Sequence, residues 1–255
     1  MSAAITDPFR LDGRTAVVTG ASRGIGSAVA AGLLRAGASV IALQRGPLAP
    51  ELADLARETG AHAEAVAVDL GSEASIAAAI ETVSSRHRVD VLVNNAGMQA
   101  RHDAVAFPLD EFDAVLAVNM RAPFQLAQGF GVGMLDRGYG KVVNMASLLS
   151  FQGGLRVAAY AASKGAVAQL TKALCNEWAG RGVNVNAVAP GYIATDMNEA
   201  LLADADRNAQ IAVRIPAGRW GAADDLSSAV VFLASDAAAY VHGVVLPVDG
   251  GWLAR

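Results

Sequence analysis

Short runs rich in Val, Ile and Ala, apolar on both faces, alternate along the chain with longer Ala- and Leu-rich segments. The runs cover residues 15–19, 39–43, 65–68, 89–94, 141–145, 183–188 and 244–248, and the helix candidates cover 25–36, 73–85, 110–135, 158–179, 201–214 and 224–233. A strand with no polar face has to be covered from both sides, and parallel strands have to be joined by crossover helices. That combination predicts an α/β fold, doubly wound, with a mostly parallel seven-stranded sheet and helices on both faces. Pro247, which has no N–H to give to a ladder, suits an edge strand or a strand end. No repeat, low-complexity linker or change of composition interrupts the 255 residues, so residues 1–255 read as one domain. Residues 191–216 read as an inserted helix and loop, a candidate lid that includes Met197 and Asn198.

The first run leads into Thr19-Gly20-Ala21-Ser22-Arg23-Gly24-Ile25-Gly26 and then into a helix candidate. Glycines at 20, 24 and 26 permit a tight turn and a close approach of backbone to a pyrophosphate, and the following helix start offers free N–H groups. Glycines also serve ordinary helix–strand packing; the strand-then-helix context is what favours a dinucleotide cradle. Asp69 and Leu70 close the third run, where a carboxylate can accept from an adenine amino group, although Asp69 could equally cap the next helix. Asn94-Asn95-Ala96-Gly97 follows the fourth run, and the small residues Ala96 and Gly97 beside Asn95 leave room for a ribose. At the end of the second run an acidic residue would repel a 2′-phosphate. Gln44-Arg45 stands there instead, with Arg23 in the glycine turn, so NADP(H) is the favoured cofactor and NAD(H) the alternative.

Tyr160 and Lys164 stand four apart in a helical segment, so their side chains share one face. A neighbouring ammonium favours phenolate over phenol. Lys164 is therefore expected to lower the Tyr160 pKa and make it a general acid or base for a carbonyl/alcohol couple. Ser147, just past the fifth run, is placed to hydrogen-bond the same oxygen, or simply to cap a turn. Asn119, within the long 110–135 segment, is a candidate to bind a water that links Lys164 to solvent.

Together TGASRGIG, NNAG, Asn119, Ser147, Tyr160-Ala161-Ala162-Ser163-Lys164 and Pro190-Gly191 resemble the short-chain dehydrogenase/reductase family, in its order and spacing over nearly the whole chain. The resemblance implies a Rossmann-type fold and an NAD(P)-dependent oxidoreductase. It further implies a Ser147–Tyr160–Lys164 triad supported by Asn119, nicotinamide contacts from Pro190, Gly191, Ile193 and Thr195, and a homotetramer. Residues 147–154, 214–221 and 249–255 resemble the members that act on a 3-deoxy-hexulosonate, a sugar acid, and the gluconate 5-dehydrogenases that share much of this pattern are an alternative. Arg101 and His102, with Gln152 and Arg156, are then candidates to hold a small anionic substrate, an arginine gripping the carboxylate. The alternatives are a 3-oxoacyl-carrier-protein reductase and, in a different class, a nucleotide-sensing binding protein without turnover. Trp220 and Trp252 are expected at a subunit contact.

Other classes are disfavoured by composition. Net charge is −4 and Lys141, Lys164 and Lys172 are the only lysines, which gives no basic surface for nucleic acid. Cys175 is the single cysteine, so no disulfide forms within the chain, and its place inside a helix candidate suits packing. His62, His87 and His242 lack metal-ligand spacing, and no metal is expected. No uncharged apolar run approaches the ~18 residues of a membrane span. The first ten residues include Asp7 and Pro8 and no apolar core, so they do not read as a leader, and a cytoplasmic location is expected.

Overall fold

The computed structural model describes residues 7–255; residues 1–6 of the N-terminal stretch considered above lie outside the described residues. Strands β1 (Thr15–Thr19), β2 (Ser39–Gln44), β3 (Ala63–Ala67), β4 (Val91–Asn94), β5 (Gly140–Met145), β6 (Val183–Pro190) and β7 (Val245–Val248) form one seven-stranded sheet. Its order is β3-β2-β1-β4-β5-β6-β7, and every neighbouring pair is parallel. Strand β7 lies at one edge, so the missing N–H of Pro247 breaks no interior ladder.

The pleat sorts the strand residues onto two cores. Val18, Val40, Ala42, Val91, Val93 and Val143 pack against α1 (Gly24–Arg35) and α9 (Asp224–Ala234) through Val29, Leu33, Leu226 and Val230. Val17, Ile41, Leu43, Leu92 and Val142 face the opposite way. They pack on α3 (Glu73–Ser84), α5 (Ala122–Arg137) and α6 (Ala158–Trp178) through Ile76, Leu126, Phe130, Met134 and Leu174. Each fully buried Leu, Ile or Phe contributes about 1.5–3 kcal/mol by leaving water, and the double cover explains why neither strand face carries a polar stripe.

Three helical expectations change. The 110–135 segment is not one helix. It divides into α4 (Leu109–Leu116), a π-helical turn (Ala117–Arg121) and α5, because Pro123 has no N–H for the Asn119 carbonyl four residues back. The ladder there shifts by one residue, with Ala122 N–H on the Ala117 carbonyl. The 201–214 segment divides into α7 (Glu199–Ala203) and α8 (Ala205–Ala212) at Asp204, whose carboxylate caps α8 by accepting from Arg207 N–H at 3.0 Å. Helix α2 (Pro50–Thr59) is additional to the segments expected. It buries only Leu52 and Ala56, too little for an apolar stripe to show.

Strand order reverses between β1 and β4, and the cleft described next opens there, at the carboxyl ends of the strands.

Candidate active site

Between β1 and α1 the chain makes a turn that only glycine accommodates: Gly20 and Gly24 lie in the left-handed region at φ +67° and +56°. A Cβ on Gly26 would fall 2.1 Å from the Gly20 carbonyl oxygen and 2.4 Å from Asn95 Nδ2. The turn is stitched to the loop after β4. Thr19 Oγ1 accepts from the N–H of Asn95 (3.0 Å) and of Ala96 (2.9 Å), and Asn95 Nδ2 donates to the carbonyls of Thr19 (3.0 Å) and Gly20 (3.2 Å). No side chain caps the start of α1, which leaves its first-turn N–H groups for an anion.

A cavity of about 870 Å³ runs from this turn in both directions. Gly20, Ser22, Arg23, Gly24, Ile25 and Gly26 line its middle; Gln44, Arg45, Asp69 and Leu70 line one end. Asn95, Ala96, Gly97, Ser147, Tyr160, Lys164, Pro190, Gly191, Ile193 and Thr195 line the other. At the first end Gln44 is buried, and its amide nitrogen donates to the Gly46 carbonyl at 3.2 Å and to that of Pro47. Its Oε1 is buried with no partner. Such an acceptor costs about 1–3 kcal/mol unless a donor reaches it, and a ligand hydroxyl in the cleft is such a donor. The groove, the bare helix start and the orphaned acceptor together fit an extended dinucleotide. Asp69 does not cap α3; Ser72 does, accepting from Ser75 N–H. Asp69 Oδ1 accepts from Gly71 N–H at 2.9 Å, which leaves its second oxygen uncommitted to that turn. Arg45 is exposed, whereas Arg23 is ion-paired with Asp196 at 2.7 Å, so the two guanidiniums start from different positions.

At the opposite end β5 delivers Ser147 and α6 delivers Tyr160 and Lys164. Ser147 does cap a turn: its Oγ accepts from Leu149 N–H at 3.2 Å. Because Oγ accepts there, its own proton is free to be donated, and hydrogen bonding from Ser147 lowers the Tyr160 phenol. Lys164 Nζ is buried and donates to the Met145 carbonyl at 2.6 Å, and it stands 5.5 Å from the centroid of the Tyr160 ring. Burial pushes the Lys164 ammonium down to about 8. The expectation for Tyr160 is corrected: desolvation raises its phenol above the ordinary value, and only the Ser147 hydrogen bond pulls it back. Lys164, 5.5 Å from the ring centroid, is not among the groups that shift it.

Asn119 is buried and does not line the cleft. Its Oδ1 accepts from Met98 N–H (2.9 Å) and its Nδ2 donates to the Met98 carbonyl (2.8 Å) and to Ser163 Oγ (3.0 Å). Its side chain is thus used within the protein, and Pro123, four residues on, has no N–H to offer the Asn119 carbonyl.

The four candidate substrate residues are not among those lining the cleft. Arg156, itself in the left-handed region at φ 63°, ion-pairs with Asp103 at 3.1 Å, and its carbonyl accepts from His102 N–H at 3.1 Å. His102 Nε2 lies 2.9 Å from Glu111, and Gln152 Oε1 accepts from Trp252 Nε1 at 3.4 Å. Arg101 is exposed. Met98, Gln99, Asp196, Met197, Asn198 and Glu199 line this end instead, and Gln99 Nε2 donates to the Met197 carbonyl at 3.3 Å. Trp252 is buried within this chain, its ring tilted against Tyr192 at 4.7 Å between centroids and under Arg214 at 3.9 Å, and Trp220 donates to Asn208. Trp252 therefore packs inside the subunit, whereas Trp220 is half-buried. Among the described residues no group of three or more His, Cys, Asp or Glu is placed to hold a metal ion, and no helix is long and apolar enough to cross a membrane.

A family profile described as "Enoyl-(Acyl carrier protein) reductase" matches residues 20–253. The 2-dehydro-3-deoxy-D-gluconate 5-dehydrogenase of Bacillus subtilis is 47% identical over 98% of this chain and 98% of its own length. The chain belongs to the short-chain dehydrogenase/reductase family. As a member it is an NAD(P)-dependent oxidoreductase, and the seven-stranded parallel sheet is the Rossmann-type architecture expected. A Beutenbergia cavernae structure, provisionally described as an NAD(P)-dependent gluconate 5-dehydrogenase with NADP at low occupancy, is 55% identical. It superposes with a TM-score of 0.94 over 98% of this chain and 100% of that one. The gluconate 5-dehydrogenase of Burkholderia cenocepacia, solved with NADP and tartrate, is 42% identical with a TM-score of 0.91, over 98% of each chain.

Two outcomes are expected. Gly26→Ala should weaken NADPH binding by more than about tenfold while far-UV circular dichroism stays native, because the added Cβ closes the cradle rather than the core. Lys164→Met should remove a pH dependence of stability. The desolvated lysine lies below its free value of 10.5, so between about pH 8 and 10.5 the unfolded chain binds more protons and the folded state gains as pH rises. Urea midpoints should show the wild type gaining on the variant through that window, by about 3 kcal/mol in full.

Proposed function

We propose that this enzyme interconverts a secondary alcohol and a ketone on a small sugar acid, 2-dehydro-3-deoxy-D-gluconate or D-gluconate in class, with NADP(H) preferred over NAD(H). The Ser147–Tyr160–Lys164 arrangement carries the reading: two hydroxyls converge where a carbonyl oxygen can lie, with a buried cation behind them. A nicotinamide, when bound, supplies or accepts the hydride. Tyr160 exchanges the proton with the substrate oxygen, and Ser147 donates to that oxygen and polarises it. Lys164 holds positive charge behind the phenol and supports the nicotinamide ribose, and a water on the Asn119 carbonyl links it to solvent. The backbone from Pro190 to Ile193, with Thr195, flanks the nicotinamide. Asn95, Ala96 and Gly97 leave room for its ribose, and Asp69 and Leu70 receive the adenine.

Two features support the finer choices. No carboxylate stands at the end of β2, and Arg45 with Arg23 can receive a 2′-phosphate once Arg23 leaves Asp196. The substrate end is lined by the polar side chains Gln99, Asn198 and Glu199, which suit several hydroxyls better than an acyl chain. Arg101 has no ion pair among the described residues and is the candidate cation for a carboxylate, with His102 on the same loop and Gln152 and Arg156 on the loop after β5. Residues 191–216 act as the lid. The enzyme works in the cytoplasm as a homotetramer.

Absorbance of the reduced nicotinamide should fall rapidly when 5-keto forms of the sugar acids meet the enzyme with NADPH, and more slowly with NADH. A 3-oxoacyl thioester should give little turnover. Preference for the thioester would replace the sugar-acid reading with its closest rival. Tight cofactor binding without turnover of any of them would favour a nucleotide sensor.

A further inference from the structure

Ser147 and Lys164 come from different elements, and the chain between them offers little to keep them in register. Phe151, Gly153, Gly154, Leu155 and Arg156 are exposed, and Arg156 sits in a left-handed conformation. Alignment therefore has to come from direct contacts between the turn after β5 and helix α6. We propose that Ser150 is a positioning residue for the reaction, a hydroxyl clamp that sets the Ser147 turn against the Lys164 turn of α6. This inference rests on the assignment of Ser147, Tyr160 and Lys164 as the catalytic set.

The geometry is specific. Ser150 Oγ donates to the Lys164 carbonyl at 2.7 Å and accepts from Ser147 N–H at 3.3 Å. One donor and one acceptor function are thus used, both on backbone atoms of catalytic residues, and the hydroxyl has no second proton to offer a substrate. Ser150 is also the third residue of the helical turn that Ser147 caps, so the same box sets the orientation of Ser147. Lys164 is then held at both ends: its ammonium on the Met145 carbonyl at the end of β5, and its own carbonyl under Ser150. Among the described residues Ser150 makes the one side-chain hydrogen bond from this turn to the backbone of α6. Removing the hydroxyl leaves the Ser147 amide without its partner and frees the turn to slide along the helix. A displacement of the order of 1 Å between reacting groups can lower a rate by about a hundredfold.

Ser150→Ala, Ser150→Thr and wild type would be compared on the sugar acid that the wild type turns over, and the Ser150→Ala crystal structure would be determined. Ser150→Ala should lose roughly ten- to a hundredfold in kcat. KM and NADPH affinity should change by less than about threefold, and the pH profile of kcat should shift as the Ser147 contact to Tyr160 loosens. Ser150→Thr, which keeps the hydroxyl, should recover most of the loss. The crystal structure should show Ser147 moved away from Tyr160. A kcat within about twofold of wild type, a loss that follows melting temperature and is not rescued by Thr, or an unmoved Ser147 would overturn the proposal. If Ser150→Ala is normal while Tyr160 and Lys164 variants are inactive, this inference fails and the catalytic assignment stands. Active Tyr160 and Lys164 variants would remove the assignment itself.

Discussion

The hydrogen bonds between Thr19 and Asn95 hold the site open. Where the sheet reverses its winding between β1 and β4, two loops diverge, and without a cross-tie each could relax into the gap. Thr19 Oγ1 takes two backbone N–H groups from the Asn95 loop, and Asn95 returns its amide to two carbonyls of the glycine turn. Loop backbone that would otherwise need water is satisfied internally, so the edge of the cleft is rigid before any ligand arrives. Gly26 completes the arrangement by letting α1 start against the Gly20 carbonyl.

A second constraint follows from enclosure. Burial at the far end of the cleft pushes a lysine down and a tyrosine up at once. Desolvation alone would leave a poor acid–base pair. The Ser147 hydroxyl opposes it by stabilising the phenolate, and the Lys164 ammonium near 8 remains charged at neutral pH. On the proposed mechanism, support for the proton transfer comes from the Ser147 hydroxyl and the charged Lys164 behind the phenol, rather than from one ion pair.

Much of this was legible in the sequence, because the strongest signals are backbone requirements. The β1 run matches its strand residue for residue, since a strand buried on both sides admits no polar interruption, and the strand that carries Pro247 lies at an edge, one of the two places a proline suits. The glycine turn, Ser147, Tyr160 and Lys164 meet around one cleft as their spacing suggested. What the chain concealed depended on neighbours distant in sequence. Arg23 and Arg156 find carboxylates at Asp196 and Asp103, and the Asn119 amide is used up on Met98 and Ser163. Some of the rest has local signals: Pro50 and Gly60 bracket α2, Pro123 breaks the 110–135 segment, and Ser147-x-x-Ser150 is a capping pattern.

The central claim is that Tyr160 exchanges the substrate proton in a site that binds its cofactor independently of that phenol. Measuring NADPH affinity and turnover side by side for Tyr160→Phe tests it most directly. The account predicts that turnover falls by roughly a thousandfold or more, in line with loss of a general acid in an enclosed site, while NADPH binds within about threefold of wild type. Turnover near the wild-type rate, with the cofactor bound equally well, would contradict it.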